Sequence, residues 1–484
     1  GHLMRCLTLA DRLQQRDGHV HFICRSLPEV FREQILAHGH FFHLLPPAAT
    51  STDDSPAHSA WLGAGWQEDA TQTATTIRDA GGADVLVIDH YAVDHRWEAA
   101  LRPLVRCIAV IDDLADRRHD CDLLLDQDYF PDPALRYAGL LPDGCQTLFG
   151  PGHALLRQEF IDAARTSRER GGTIRRILVF YGGADPDNLT GRTLDALAPR
   201  LGPELEADIV IGAINPHVDA LRARCDSQPH VRLHVQAGNM AELIGAADLA
   251  FGACGTATWE RCLLGLPAVV VVLADNQRES TQALVESGVV ESLGEATTVT
   301  VAKLRAALDR LASDPARLRN MSAAARTLMH TDEAPIEDIL AYETPFTFED
   351  LQLRLVGLAD AGDLLEWRMR ARGTSAIETD EHARWMSDVI ANTHCHLVVG
   401  ERNGRPIGGI RLEESGDAGE ISIYLSPDAH GADNDSALLR ALEAWIRATR
   451  PAIQRLVAVV LGTNATSHRL FLKNGYACLP THYE

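Results

Sequence analysis

The chain has 484 residues in ordinary globular proportions, 46% hydrophobic and 23% charged, with a net charge of −22. This excess of carboxylates, with no compensating basic patch, argues against binding DNA or RNA through their phosphates. The longest uninterrupted apolar run, residues 268–274, is too short to span a bilayer, so no membrane association is expected. The ten cysteines never form Cys-x-x-Cys, a pattern that predicts reduced thiols in the cytoplasm and no cysteine-ligated zinc.

The first residues predict an unusual start for an alternating α/β chain. Residues 4–17 have the apolar spacing of an amphipathic helix, and a strand follows at 19–24. A helix that leads into a parallel strand is normally itself preceded by a strand. We therefore expect a truncated chain that lacks its first strand and the loop after it.

The rest of the first half alternates strands with helices. Apolar runs that end in acids, at 84–89, 107–112 and 122–126, are typical of parallel strands buried on both faces. Residues 44–58 are rich in Pro, Ser, Thr and Asp and predict a surface loop. A helix is expected over residues 154–170.

The alternation restarts after residue 171 and predicts a second βα domain. Further strands are expected at 174–183, 207–212, 231–235, 249–251 and 268–274. Two such domains that face each other leave a cleft, which is a common place for a ligand.

The segment 251–260, which reads FGACGTATWE, is the most informative part of this half. Gly255 allows a sharp turn after the strand, and Thr256 places a hydroxyl where a helix begins. The free amides and positive dipole end of such a helix suit a diphosphate, and the Glu260 carboxylate can accept hydrogen bonds from a ribose diol. The next strand ends where open parallel sheets bind ligands, in the polar residues Asp275, Asn276 and Gln277. The pattern predicts a nucleotide-sugar site, and the alternative is an ordinary strand–turn–helix.

After residue 345 the pattern changes to α+β. A helix-rich opening is followed by a strand pair at 396–400 and 406–412, then by a strand, a helix, a strand and a last helix. Three domains are therefore predicted, at 1–168, 169–340 and 347–484.

The first two domains resemble the UDP-2,4-diacetamido-2,4,6-trideoxy-β-L-altropyranose hydrolases of pseudaminic acid synthesis. Besides the two runs above, the likeness rests on residues 1–10, 89–91, 112–117, 124–127 and 182–190. The resemblance implies an α/β, GT-B-like pair of Rossmann-type domains. It also implies inverting hydrolysis that releases UDP from a diacetamido-trideoxy sugar, in the synthesis of surface glycans such as those of flagellin. Only the tail of the family's Gly-x-Gly-His-x-x-Arg motif is present, and Asp128 stands where the family has Asn.

The resemblance also implies roles for individual residues. His2 corresponds to the catalytic histidine, and a helix N-terminus would disfavour its imidazolium form and keep it available as a base. Tyr91 corresponds to the tyrosine that positions sugar or water. Asn188 and Glu260 resemble the substrate-binding pair, and Asn276 can bind an acetamido or hydroxyl group. No cofactor is implied for the hydrolase.

Several of these residues also have structural interpretations. His2 could be a solvated terminal residue, Glu260 could complement a helix dipole, and Asn188 could close a turn. Three aspartates are interpreted as loop caps: Asp112, Asp113 and Asp120. Three histidines have no carboxylate or cysteine companion in the sequence and are interpreted as surface residues, with no metal assigned: His38, His40 and His43.

Residues 347–484 resemble GNAT-type acyl-CoA N-acetyltransferases. The likeness rests on residues 367–368, 397–400, 407–411, 421–424 and 464–476. Such a fold splays two strands and binds the pyrophosphate of acetyl-CoA on a glycine-rich loop. Gly431 and Asn464 are the candidate cofactor contacts.

The third domain departs from the acetyltransferase pattern in two ways. Gly431 is all that remains of the glycine-rich loop, and three carboxylates there would repel a pyrophosphate: Asp428, Asp433 and Asp435. Phe471 stands at the position of the family's general-acid tyrosine, for which Tyr424 or Tyr476 could substitute. The domain is therefore either a working acetyltransferase or one kept for packing or substrate docking.

The sequence as a whole predicts a cytoplasmic hydrolase of a small-molecule UDP-sugar joined to an acetyltransferase-like domain. Two alternatives remain open. One is a GT-B-type glycosyltransferase that transfers the sugar to an acceptor, and the other is a catalytically impaired nucleotide-sugar-binding protein. The sequence does not specify an oligomeric state.

Overall fold

The computed structural model describes residues 2–16, 18–48, 56–331, 333–343, 346–356, 360–372, 395–427, 434–450, 452–460 and 465–478. The chain forms two compact units. The first consists of Gly1–Gly81, Val87–Arg102 and Ile108–Glu337, and the second of Gly82–Leu86, Pro103–Cys107 and Asp338–Glu484. The division into three domains remains a prediction. No helix among the described residues has both the length and the apolar character of a membrane span.

The amino-terminal part contains a two-stranded and a four-stranded sheet, ordered β1-β2 and β3-β4-β5-β6. The pairs β1–β2, β4–β5 and β5–β6 are parallel. The strands are β1 (His21–Cys24), β2 (Phe41–Leu44), β3 (Val85–Ile88), β4 (Cys107–Ile111), β5 (Leu123–Asp126) and β6 (Gln146–Phe149). The helices are α1 (His2–Gln14), α2 (Glu29–Ala37), α3 (Trp66–Asp79), α4 (His95–Leu101), α5 (Pro133–Arg136) and α6 (Gln158–Arg165).

A six-stranded parallel sheet follows, in the order β12-β11-β10-β7-β8-β9. Its strands are β7 (Arg176–Phe180), β8 (Glu206–Ile211), β9 (Val231–Val235), β10 (Leu249–Ala253), β11 (Ala268–Val272) and β12 (Val290–Glu295). Its helices are α7 (Leu189–Leu197), α8 (Val218–Asp226), α9 (Met240–Ala246), α10 (Ala257–Leu263), α11 (Gln277–Glu286), α12 (Val301–Ala312), α13 (Pro315–Leu328) and α14 (Ile336–Glu343).

The core of this sheet follows from simple apolar patterns. All five residues of β11 are buried, as expected of a strand covered on both faces. On α12 the leucines 304, 308 and 311 recur at helical spacing and are buried. Each such side chain stabilises the fold by about 1.5–3 kcal/mol relative to exposure. The hydroxyl of Thr300 caps the helix by accepting from the Lys303 amide at 3.2 Å.

The second unit contains a six-stranded sheet in the order β13-β14-β15-β16-β17-β18. All neighbours in it are antiparallel except β17 and β18, which run parallel. The strands are β13 (Phe346–Phe348), β14 (Leu351–Leu355), β15 (Cys395–Arg402), β16 (Arg405–Ser415), β17 (Ala418–Leu425) and β18 (Arg455–Ala458). The helices are α15 (Ala361–Arg372), α16 (Asn434–Thr449) and α17 (Ala465–Lys473).

The predicted fold class is confirmed, since parallel α/β sheets precede an α+β sheet. Two local predictions were wrong in part. The helix expected over 154–170 is only α6, because Ala154 and Arg157 at its start have extended backbone. The predicted helix-rich opening of the third domain contains α15, but it begins with β13 and β14, whose Leu351 and Leu353 are buried on one face. The predicted strand pair is joined by a tight connection between β15 and β16, with Asn403 and Gly404 both at positive φ.

Candidate active site

The switch point of the six-stranded sheet determines where its functional loops meet. The chain leaves β7 toward β8 and β9 on one side, and later returns to add β10 beside β7 on the other. In open parallel sheets, ligands bind at the carboxyl ends of the strands beside such a reversal. The loops after β7 and β10, which carry Asn188 and Gly255, are the two that flank it.

The loop after β10 is held close to its neighbours. A Cβ atom on Gly252 would lie 2.4 Å from the Phe180 carbonyl oxygen, so only glycine fits this close approach. The Thr258 amide donates to the Gly255 carbonyl at 2.7 Å, which forms the turn into α10. Thr256, at the start of α10, makes no side-chain capping bond. Its hydroxyl is therefore not committed to the helix.

A buried arginine lies beneath this loop. Nη2 of Arg261 donates to the Ala253 carbonyl at 2.8 Å and to the Thr258 hydroxyl at 3.0 Å. Burial lowers the pKa of Arg261 from its ordinary value. Its hydrogen bonds therefore fix the loop from below, and its charge adds to the positive end of α10.

Glu260 lies on the first turn of α10 and is partly exposed. Its Oε1 lies 3.3 Å from Nη2 of Arg157. Burial raises the pKa of Glu260, and the nearby guanidinium of Arg157 opposes that shift. Beside the same loop, Gln277 accepts from the Leu273 amide at 2.9 Å. Its Nε2 is the atom nearest to the place where a Cβ on Gly255 would lie, at 3.6 Å.

The two asparagines predicted to bind substrate lie at helix starts. Asn188 begins α7 in the left-handed region, at φ 52°, and its side chain accepts from the Gly191 amide at 3.0 Å. This bond matches its structural interpretation and leaves the side-chain N–H groups as donors. Asn276, at the start of α11, is exposed and makes no capping bond. Both are at the carboxyl edge of the sheet, where Gly255, Thr256, Glu260 and Gln277 also lie.

The Asp89 carboxylate, directly after β3, organises the other predicted cluster. It accepts from Nε and Nη2 of Arg5 at 2.7 and 2.6 Å, and it lies 2.5 Å from Nδ1 of His2. Burial alone would raise the pKa of Asp89, but Arg5 and His2 hold it well below its usual range. A carboxylate in this state only accepts hydrogen bonds. The proton of a neutral His2 therefore resides on Nδ1, and the lone pair on Nε2.

Tyr91 and Asp113 extend this cluster. The Tyr91 hydroxyl donates to Asp113 at 2.6 Å, and its ring meets the His2 ring edge-on with centroids 4.9 Å apart. The pKa of Tyr91 is raised well above its ordinary value by burial and by Asp113, so the phenol remains protonated. Asp113 also lies 3.5 Å from Nη1 of Arg5. The prediction that Asp113 is a loop cap was wrong, because its carboxylate contacts two site residues instead of loop amides.

Its neighbours do have structural roles. Asp112 is buried, accepts from the Ala115 amide at 3.0 Å and pairs with Arg117 at 2.8 Å. Asp120 pairs with Arg102 at 3.0 Å on the surface. The loop-cap interpretation therefore fits Asp112, and Asp120 is a surface ion-pair partner.

Asp128, the departure from the family pattern, connects the two clusters electrostatically. Its pKa is raised to about 7, first by burial and then by the charge of Asp113. Arg5 and the indole of Trp259, on α10, act in the opposite direction. Two carboxylates in such a site disfavour each other's ionisation.

One sequence interpretation of the histidines was wrong. His38 and His40 do have a carboxylate companion, because both imidazoles lie within 3.0 Å of Asp11 on α1. His43 instead contacts His21, with 2.9 Å between ring nitrogens.

The candidates in the second unit are partly outside the described residues. These are Gly431 and Asn464, together with Asp428 and Asp433. Asp435 accepts from the Ser436 amide at 2.8 Å. The Tyr476 hydroxyl donates to Glu443 at 3.1 Å, and burial and Glu443 raise the pKa of Tyr476 well above its ordinary value. Tyr424 is buried beside Trp367 in a small apolar cluster.

Sequence reasoning assigned no role to the residues that hold the predicted ones in place. Arg5 is the arginine of the Gly-His-x-x-Arg motif tail, and its spacing from His2 on one helix could have suggested a shared partner. The sequence around Arg157 and Arg261 does not indicate their partners, because tertiary structure brings those partners together.

Two family models match separate parts of the chain. Residues 219–335 match the C-terminal domain of glycosyltransferase family 28, and residues 350–477 match the acetyltransferase (GNAT) domain. The chain joins these two domain types. The resemblances stated from the sequence are confirmed at this level.

Individual relatives cover the chain in part. It is 30% identical over 148 residues to the spore coat polysaccharide biosynthesis protein SpsG of Bacillus subtilis, over 30% of this chain and 43% of SpsG. The chain thus spans less than half the length of that relative. It is 26% identical over 207 residues to the UDP-2,4-diacetamido-2,4,6-trideoxy-β-L-altropyranose hydrolase of Campylobacter jejuni, over 42% of this chain and 72% of the hydrolase. A solved structure, the MurG of Acinetobacter baumannii, aligns with a TM-score of 0.48 at 15% identity, covering 70% of this chain and 95% of that one.

We predict that Asp128→Asn raises the melting temperature in a pH-dependent way. Since the pKa of Asp128 is higher in the folded chain than its unfolded value of about 3.9, its contribution to stability is complete at low pH and is lost as the pH rises through about 7. At pH 8 the asparagine variant should melt about 2–4 °C higher than the parent, and at pH 5, between the unfolded and folded pKa values, this gain should fall to about a third. Calorimetry at both pH values measures it.

The matched control is Asp132→Asn. Asp132 lies in the loop after β5, directly before α5, where its side chain is exposed and does not cap the helix. It should leave the melting temperature unchanged at both pH values. An equal effect of Asp128→Asn at pH 5 and pH 8 would contradict the raised pKa.

Proposed function

We propose that the first unit hydrolyses a UDP-activated diacetamido-trideoxy sugar, releasing UDP and the free sugar, in the synthesis of pseudaminic or a related nonulosonic acid. The observation that carries the proposal is the His2–Asp89 pair, which leaves a lone pair on Nε2 of a partly exposed imidazole. The partial homology to the hydrolase supports the choice of reaction and substrate class.

His2 acts as the general base. Its Nε2 accepts a proton from a water molecule, whose oxygen attacks the anomeric carbon. The bond from that carbon to the diphosphate oxygen breaks on the opposite face, and the electron pair leaves with UDP. The product sugar carries the hydroxyl with inverted configuration, and the proton on His2 returns to solvent. Asp89 keeps the imidazole in the required tautomer and stabilises it while it is protonated.

The loop after β10 binds the leaving group. Its backbone amides and the Thr256 hydroxyl donate to the diphosphate, and Arg261 supports the loop from below with its charge. Glu260 accepts from the ribose hydroxyls, and Gln277 lies beside the same turn. These interactions stabilise the negative charge that develops as UDP departs.

The sugar lies between Tyr91 and the carboxyl edge of the six-stranded parallel sheet. The Tyr91 hydroxyl, which Asp113 orients, positions the water or the sugar ring. Asn276 and Asn188 have amide groups that can bind acetamido or hydroxyl groups of the sugar without adding charge.

Two other functions give different results in a simple assay. A glycosyltransferase of the same architecture would release little UDP from the donor alone and more when an acceptor is present. A binding protein without activity would bind UDP but release none from the donor. UDP release from the donor alone therefore separates the three.

His2→Phe should lower the rate of UDP release by about 100-fold or more, because it removes the base and keeps a planar ring. The assay follows UDP under saturating donor. His95→Gln, which changes an exposed histidine on α4, should retain the parent rate. Undiminished turnover in His2→Phe would refute the assignment of the base.

Glu260→Gln should raise KM about tenfold with little change in kcat, because a ribose contact is made equally in ground and transition states. Glu159→Gln is the matched control, since Glu159 also pairs with Arg157, at 2.6 Å. It should leave KM unchanged. A fall in kcat at constant KM for Glu260→Gln would assign this residue to the chemical step instead.

We propose in addition that the second unit binds acetyl-CoA. The GNAT match supports it, and so does the pairing of β17 with β18, which covers Ala418 to Ile421 but not the last half of β17 among the described residues. Strands that separate in this way leave backbone groups available for a cofactor. N-Acetylation of an amino sugar is the corresponding activity.

Titration of the full chain with acetyl-CoA should give saturable heat in a calorimeter, with one molecule bound per chain. Free acetate at the same concentration serves as the control and should give none. No detectable heat with acetyl-CoA would mean that the second unit is retained for packing or for substrate docking.

A further inference from the structure

Three side chains of the kinds that bind metal ions lie close together near the C-terminal end of α1, away from His2. Asp11, on α1, lies 3.0 Å from Nδ1 of His38 through either carboxylate oxygen, and 2.9 Å from Nε2 of His40. The three ligand atoms all lie within 4.8 Å of one another. We propose that Asp11, His38 and His40 form a binding site for a divalent transition-metal ion such as Zn²⁺.

The end of α2 sets the positions of both imidazoles. The His38 amide donates to the Gln34 carbonyl, and the Gly39 and His40 amides donate back to Leu36 and Ile35. Gly39 has a φ of 85°, which lets the chain reverse there at little steric cost. The backbone therefore holds the two histidines without help from the metal.

The donor set and its spacing suit zinc. Imidazole nitrogens and a carboxylate oxygen bind Zn²⁺ at about 2.0–2.2 Å, so two ligand atoms of a tetrahedral site lie about 3.3 Å apart. The present separations of 2.9 and 3.0 Å require only a small outward movement. The negative end of the α2 dipole, directly at His38, also favours a cation.

The exposure of the three side chains indicates how solvent could reach a bound ion, and their number indicates how many ligand positions stay open. His40 is buried, whereas the side chains of His38 and Asp11 are 39% and 37% exposed, which leaves one side open to solvent. With three protein ligands, the fourth position belongs to water. Among the described residues, Nδ1 of His40 is buried without a hydrogen-bond partner. Because none of them supports that ring from outside, the affinity should be lower than at four-ligand structural sites.

The alternative is a hydrogen-bonded cluster without metal. In that case both imidazoles donate an N–H to the Asp11 carboxylate, and all three contacts are satisfied. The two cases differ in their response to added metal. A bound ion would tie α1, which carries His2 and Arg5, to the segment between α2 and β2, and so stabilise the folded chain.

The test is calorimetric titration of the full, tag-free chain with Zn²⁺, combined with visible absorption after addition of Co²⁺. We expect one ion per chain and a d–d absorption typical of low coordination. Asp11→Asn and His38→Ala change partly exposed side chains and should each weaken binding at least about tenfold. His43→Asn, which changes a histidine on β2 outside the trio, should bind as the parent does.

Thermal unfolding provides an independent readout. Zn²⁺ should raise the melting temperature of the parent and of His43→Asn, but not that of Asp11→Asn. Absence of saturable heat in the parent would overturn the proposal. So would parent-like affinity in both trio variants, or a loss of binding confined to His43→Asn.

Discussion

The buried carboxylate of Asp89 is the constraint on which the candidate active site depends. It receives two hydrogen bonds from Arg5 and one from His2, and removal of one partner from such a buried pair typically costs about 3–5 kcal/mol. The same contacts determine which nitrogen of His2 carries the proton. One side chain at the end of β3 therefore fixes both the position of the first helix and the chemical state of the imidazole.

The charged groups around this carboxylate differ in sign from those at the α10 loop. Arg5 pairs with Asp89, Asp113 accepts from Tyr91, and Asp128 with its raised pKa is partly protonated near neutrality. The cluster therefore holds more carboxyl groups than guanidinium groups. In the proposed reaction it would face the positive charge that develops on the sugar ring, whereas the α10 loop would face the departing diphosphate. Ionisation of Asp128 would strengthen the first effect and weaken the binding of an anion.

The sequence predicted the elements whose apolar runs are continuous, because a strand buried on both faces has few other interpretations. β4, β5, β7, β10 and β11 all appear where expected. Strands with mixed composition were predicted less consistently: β9 was expected, but β13 and β14 were missed, since their alternation is short and β14 depends on pairing with β15. A long, buried apolar run therefore made a strand easier to predict.

The candidate site divides in the same way. Gly255 and Glu260 follow a local pattern, and their positions at the sheet edge could be predicted from it. Asp112 and Asp113 are adjacent, and nothing in the sequence distinguishes the aspartate that caps a loop from the one that orients Tyr91. Side chains of neighbouring residues after a strand point in different directions. A shift of one position along the chain therefore separates an aspartate with a structural role from one that contacts the site.

The first helix connects these observations. Asp89 holds its beginning through Arg5 and His2. Near its end the Asp11 carboxylate contacts His38 and His40, and Arg12 donates to Glu337 at 3.2 Å and to the Leu156 carbonyl at 2.5 Å. Helix ends ordinarily fray, because their first amides lack partners. Here side-chain contacts at both ends of one helix oppose that tendency. A base at the second residue can therefore be positioned by tertiary contacts along the whole helix, so that a change at Asp11 or Arg12 would be felt at His2.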